Sequence, residues 1–179
     1  MVPANSKHIL IALGGFPEEG SGVYETTDNG VTWSKRNIRN DFADIRCMAA
    51  TPGNFSTLYI GCQESYDQTS KTDYPGGVFK STDGGKSWRL TLSDPTISSV
   101  AITPQNPRTI YAATNDFPYH DDYAAYGLLM SRDGGNTWKK ENNGLSLLDV
   151  TNITVSSGAP YNLYLSTQGN GVFTGTAQR

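Results

Sequence analysis

The 179-residue chain is long enough for one domain with a real core, yet short of the roughly 200 to 250 residues that large all-β domains often reach. Nineteen glycines and nine prolines, with 17% charged and 11% aromatic residues, suit short strands joined by tight turns and exclude a coiled coil or a disordered chain. A net charge of -3 without a basic stripe excludes a nucleic-acid binder, and no run approaches the about 18 apolar residues of a membrane-crossing helix, so neither partner is expected.

In chain order, the first apolar stretch is Ile9 to Leu13, too short for the apolar region of a secretory leader and therefore expected to be a strand. An alternating strand and a tight reversal follow in GVYETTDNGVTW at 22 to 33. The same pattern returns as GVFKSTDGGKSW at 77 to 88 and GLLMSRDGGNTW at 127 to 138, and GVFTG at 171 to 175 begins a fourth copy. The shared form is Ser/Thr-x-Asp-x-Gly-x-Ser/Thr-Trp. Its chemistry is that of a hairpin: Asp28, Asp83 and Asp133 accept hydrogen bonds from the turn's own backbone, while Gly30, Gly85 and Gly135 supply a positive φ. Trp33, Trp88 and Trp138 are expected to pack under their hairpins. The three aspartates thus read as structural acceptors rather than catalytic acids.

Between these hairpins lie paired strands, in IRCMAATPGNFSTLYIGC, ISSVAITPQNPRTIYAAT and VTNITVSSGAPYNLYLST. Each unit is then four strands, A to D from the inside out, with the hairpin motif at the C to D turn. PANSKHILIAL aligns with PQNPRTIYAAT, so the first unit starts at strand B and the last stops after strand C. The expected organisation is a single repeat array with an incomplete unit at 1–43, units at 44–95 and 96–148, and an incomplete unit at 149–179. Cys47 and Cys62 fall on adjacent antiparallel strands, where a disulfide is geometrically conceivable and two buried free thiols are the plainer reading.

The three motifs and their flanking strands resemble the Asp-box, or bacterial neuraminidase repeat, propellers over essentially the whole chain. Within that group GVFKSTDGGKSW and NPRTIYAAT are most similar to the family 74 glycoside hydrolase (xyloglucanase) type, with sialidases and sortilin-type receptors more distant. The resemblance implies an all-β fold, a β-propeller segment of about three and a half four-stranded blades with Asp-box hairpins. It implies carbohydrate-related ancestry and, for a parent protein, an extracytoplasmic location. It does not imply a reaction, because these relatives share the box and differ in function.

Candidate binding residues lie in the B to C connections, which are the segments that vary: 14 to 22, 62 to 77, 115 to 127 and the short 167 to 171. Insertions gathered on one side of a repeat array mark its binding side. The three long loops carry eight acids, Glu18, Glu19, Glu64, Asp67, Asp73, Asp116, Asp121 and Asp122, against one base, Lys71. They also hold Phe16, Tyr66, Tyr74, Phe117, Tyr119, Tyr123 and Tyr126. Carboxylates that accept from hydroxyls, beside flat rings that cover a sugar's apolar side, suit a neutral glycan. The expected ligand residues are Tyr66, Asp67, Tyr74, Asp116, Tyr119, Asp121, Asp122 and Tyr123.

His120-Asp121-Asp122 lacks the further ligands a metal needs, so no metal or cofactor is expected. A glycosidase would need two carboxyls flanking one bond, about 5 to 9.5 Å apart depending on mechanism, and Asp67, Asp116 and Asp122 are the available acids. No segment matches the family 74 catalytic segments, and no arginine in the long loops could hold a sialidase substrate. The reading is therefore a glycan-binding propeller segment that leans away from being an enzyme on its own. An alternative is a protein-interaction propeller whose acidic loops receive a basic partner. A second copy, or a missing half-propeller, is expected to close the ring, since bare blade ends expose apolar surface.

Overall fold

The computed structural model describes residues 7–16, 19–36, 42, 44–51, 54–94, 96–116, 125–169 and 171–177. Its regular elements are all strands. A first sheet is formed by β1 (Ile9–Leu13), β2 (Gly22–Thr26) and β3 (Ser34–Lys35). β4 (Ile45–Thr51) and β5 (Asn54–Cys62) open the second sheet, a ribbon of β6 (Ser65–Asp67) and β7 (Thr72–Tyr74) follows, and β8 (Gly77–Ser81) and β9 (Arg89–Ser93) complete the sheet. β10 (Ile97–Ile102), β11 (Ile110–Thr114), β12 (Leu128–Ser131) and β13 (Lys139–Lys140) make the third. The fourth is β14 (Val150–Val155), β15 (Asn162–Thr167) and β16 (Gly171–Thr176). Sequential antiparallel pairing in sheets of three, four, four and three strands is the propeller-segment architecture.

Period-two alternation decides which sheet each residue packs against. On β5, Ile60 and Cys62 join a core with Val23, Phe42 and Phe79 between the first and second sheets. Tyr59, next to Ile60 in sequence, points the other way into a core with Val78, Ile97, Val100 and Ile110 between the second and third. Tyr111, Leu128, Val150 and Leu165 repeat the arrangement between the third and fourth. Gly61 leaves no room for a side chain against the third sheet: a Cβ there would lie 2.5 Å from Ile97 Cγ2 and 2.6 Å from Cys47 Sγ of its own sheet. The two cysteines are free thiols on the paired strands β4 and β5. Burial pushes the Cys47 thiol up to about 12 and Cys62 well above its usual value, so both stay protonated.

The three boxes are superposable in their chemistry. Asp28 accepts from the Thr26 and Thr32 hydroxyls and the Thr32 N–H, Asp83 from the Ser81 and Ser87 hydroxyls and the Lys86 and Ser87 N–H groups, and Asp133 from the corresponding Ser131, Asn136 and Thr137 groups. Each Ser or Thr hydroxyl in turn accepts from the box glycine, Gly30, Gly85 or Gly135, all with φ between 86° and 89°. A backbone bond then ties each box to the start of its own strand B or to the residues just before it: Asn29 to Lys7, Gly84 to Ser56 and Gly134 to Arg108.

Trp33 and Trp88 each donate Nε1–H to the carbonyl of their own box glycine at 3.1 Å, as expected of rings packed on their hairpins, and the three tryptophans differ in burial. The second and third boxes rest on the preceding sheet as well as on their own, Gly85 beside Val23 and Gly135 beside Tyr59. Trp88 packs edge-on to Phe42 at 5.9 Å in the core between the first two sheets, and Trp138 joins the core between the second and third. Trp33 belongs to the first sheet and is 41% exposed. Its burial would depend on a neighbouring sheet, which local sequence does not reveal.

Candidate functional site

The side of the sheets opposite the boxes is built from the B to C connections and from the residues that lead into each strand A. Backbone bonds knit these together in every unit: Asp44 N–H to the Gly15 carbonyl, Gln63 N–H to Asp44, Asn115 N–H to Thr96, and Gln168 N–H to Asp149. The residue after strand B is therefore Gln63, Asn115 or Gln168 in successive sheets, and these positions form a polar row. Gln63 Nε2 donates to Asn115 Oδ1 at 3.2 Å, and its buried Oε1 has no hydrogen-bond partner. The Asp116 N–H donates to Asp149 Oδ1 at 3.3 Å. Burial raises the carboxyl pKa of Asp149 above the usual range, and the charge of Asp116 adds to the shift. A carboxyl of this kind can hold a proton that a surface aspartate would lose.

The expected ligand residues have separate fates. Tyr66, on β6, is 42% exposed and pairs across the ribbon with Asp73. Asp67 is only 3% exposed, because its carboxylate accepts from the Thr69 and Ser70 N–H groups at 2.7 and 3.1 Å and from the Ser70 hydroxyl. It turns the β6–β7 ribbon and is withdrawn from the surface a ligand would touch. Tyr74 is half-buried with its ring tilted against Phe16, 6.3 Å between centroids, so it joins the connections of the first two sheets. Asp116 is exposed and accepts from the Ala125 N–H at 2.6 Å, fastening the far end of its own loop. Tyr119, Asp121, Asp122 and Tyr123, with His120, lie outside the described residues.

Two features lie outside the expected ligand residues. Tyr126 is 44% exposed, with Lys140 Nζ 4.2 Å from its ring centroid. Gln63 and Asp149 sit at strand ends, and aligning the positions that flank strands A and B would have found them. Among the described residues, no group of three or more His, Cys, Asp and Glu side chains converges as a metal site.

The BNR/Asp-box repeat family matches residues 24–35 and 79–90, the first two boxes. The chain carries BNR/Asp-box repeats on a propeller-type fold. The third box lies outside that match and keeps the same hydrogen bonds. This Asp-box propeller is 26% identical over 162 residues to a xyloglucanase of Hypocrea jecorina, covering 88% of this chain and 17% of that protein. It is 25% identical over 170 residues to the xyloglucanase Xgh74A of Acetivibrio thermocellus, covering 77% and 17%. Its fold is similar to the crystal structure of an ancestral GH74 enzyme, with a TM-score of 0.69 at 24% identity over 99% of this chain and 22% of that one. The segment spans about a sixth of its curated relatives, and the similarity makes it glycoside-hydrolase-like in its propeller.

Proposed function

We propose that this propeller segment binds a neutral polysaccharide on the side away from its boxes. The observation that carries the reading is the combination in these connections: the exposed side chains of Tyr66 and Tyr126, and hydrogen-bond acceptors that include the unpartnered Gln63 oxygen and the Asp116–Asp149 pair. Rings supply stacking area, and acceptors take hydroxyl protons without needing a charged ligand. Similarity to xyloglucanases supports a β-glucan backbone as the first ligand to test. Tyr119, Asp121, Asp122 and Tyr123 extend the proposed surface by their place in the same connection as Tyr126.

Affinity electrophoresis and calorimetry with soluble xyloglucan would test this at two salt concentrations. Binding should be detectable and nearly independent of salt, and Tyr66→Ala and Tyr126→Ala should each weaken it about fivefold, as expected for the loss of one stacked ring. Absence of binding to xyloglucan and other neutral glucans would defeat the reading. Salt-sensitive capture of a basic protein in its place would favour a protein-interaction propeller.

A further inference from the structure

The first strands of the second, third and fourth sheets, β4, β10 and β14, break register at the same place. Ile45 pairs with Cys62 and Cys47 with Gly61; Ile97 pairs with Thr114 and Ser99 with Ala113; Val150 pairs with Thr167 and Asn152 with Ser166. Arg46, Ser98 and Thr151 are therefore the extra residues of three equivalent β-bulges. Bulges re-aim side chains and gather beside sites. These three border the polar row, because Cys62, Thr114 and Thr167 lead directly into Gln63, Asn115 and Gln168.

The backbone feature is kept while its side chain changes. Ser98 donates its hydroxyl to the Val150 carbonyl at 2.6 Å and ties the third sheet to the fourth, and Thr151 donates to the Ser166 carbonyl at 3.2 Å within its own sheet. Although β10 lies beside β4 as β14 lies beside β10, the Arg46 guanidinium turns back to Asp44, with Nη2 2.8 Å from Oδ2 and both side chains partly exposed. Asp44 stands where Thr96 and Asp149 stand in the next two sheets, its carbonyl accepting from the N–H of the polar row. Of the three, Asp44 has a positive φ, 44°. A surface ion pair contributes little to stability, so the pair does not by itself account for that conformation.

We propose that Asp44 and Arg46 clamp two adjacent hydroxyls of a sugar, the carboxylate accepting from one and the guanidinium donating to the oxygen of the other. The inference rests on the glycan reading above and names the residues that would select a ring with a vicinal diol. A carboxylate only accepts and a guanidinium only donates, so the two together match a diol, and their charges cancel toward a neutral ligand. Asp44 engages one nitrogen of a group that carries five N–H donors. Aromatic area adjoins the pair: Gly15, whose carbonyl accepts from the Asp44 N–H, leads into Phe16, whose ring meets Tyr74 at 6.3 Å. The buried, unpartnered Gln63 oxygen follows from the same strand end.

Calorimetry with soluble xyloglucan, whose 4-linked backbone glucoses keep adjacent 2- and 3-hydroxyls, tests the clamp. Asp44→Asn and Arg46→Met should each lower affinity about tenfold, as expected for losing a charged hydrogen bond, with an unchanged melting temperature. The double variant should bind little worse than either single one, because the pair acts as a unit. Unchanged affinity in both single variants, while Tyr66→Ala still weakens binding, would overturn the clamp and leave the glycan reading standing. Absence of wild-type binding would overturn both. If the wild type prefers a glucuronate-bearing xylan, and Asp44→Asn strengthens that binding while Arg46→Met abolishes it, the guanidinium reads a carboxylate and the diol clamp is overturned.

Discussion

Asp83 receives four donors in one turn, from the Ser81 and Ser87 hydroxyls and the Lys86 and Ser87 amides. Burial alone would raise its pKa, but these bonds outweigh that effect and bring it to about 2; the hydroxyl and amide bonds of Asp28 do the same there, and Asp133 is lowered further still. A carboxylate with a folded pKa below its unfolded value near 3.8 stabilises the fold fully above that value and loses the contribution as the pH falls toward 2. Urea midpoints should therefore drop between about pH 4 and pH 2, and Asp83→Asn should lower stability at neutral pH while shrinking that drop. Asp149 has the opposite sign, because a raised carboxyl pKa favours the fold below the unfolded value and penalises it as the proton leaves. Asp149→Asn should accordingly be neutral to stabilising at pH 7 if hydrogen bonding is preserved. Among the tryptophans, Trp88→Ala should cost about 3 kcal/mol, the low end for an aromatic ring removed from a core, against less than about 1 kcal/mol for exposed Trp33→Ala in a monomeric preparation. Chemical denaturation of the two variants side by side checks the difference.

At the level of the element, a glycine makes a close approach between the second and third sheets. Gly61→Ala would place a methyl group within 2.6 Å of both Ile97 and Cys47, so the second and third sheets must part or twist. Overpacking of this kind typically costs about 1 to 3 kcal/mol, and denaturant midpoints should register it, whereas Gly158→Ala, with nothing within 4 Å, should not. That contrast marks what a repeat makes legible. Box hairpins are local, so Asp, Gly and Ser/Thr at fixed offsets announce both the turn and its acceptor, and the strand count follows from the repeated box. The candidate site was only partly legible. Asp67 was read as a ligand residue from the composition of its loop, but a loop can fold on itself, and the β6–β7 ribbon uses that carboxylate to make its turn. Gln63 and Asp149 were invisible because each lies at a strand end, where the neighbouring sheet decides whether a polar side chain is buried or bonded. Trp33 anchors its own hairpin through the Gly30 carbonyl, but how far its ring is buried depends on a neighbouring sheet, which local sequence does not show.

For the whole molecule, stability is set by seams, because each sheet meets only its neighbours and contributes through them. The second and third sheets bury both faces, as the three core clusters show, while the first and fourth bury one each. Local opening should follow that order, since a sheet with one seam has fewer apolar contacts to break than a sheet with two. Hydrogen exchange at low protein concentration should leave β5, β8, β11 and β12 most protected and β1, β2, β15 and β16 least. Uniform protection across all four sheets at the lowest concentration would mean that the end faces are already covered within a single chain.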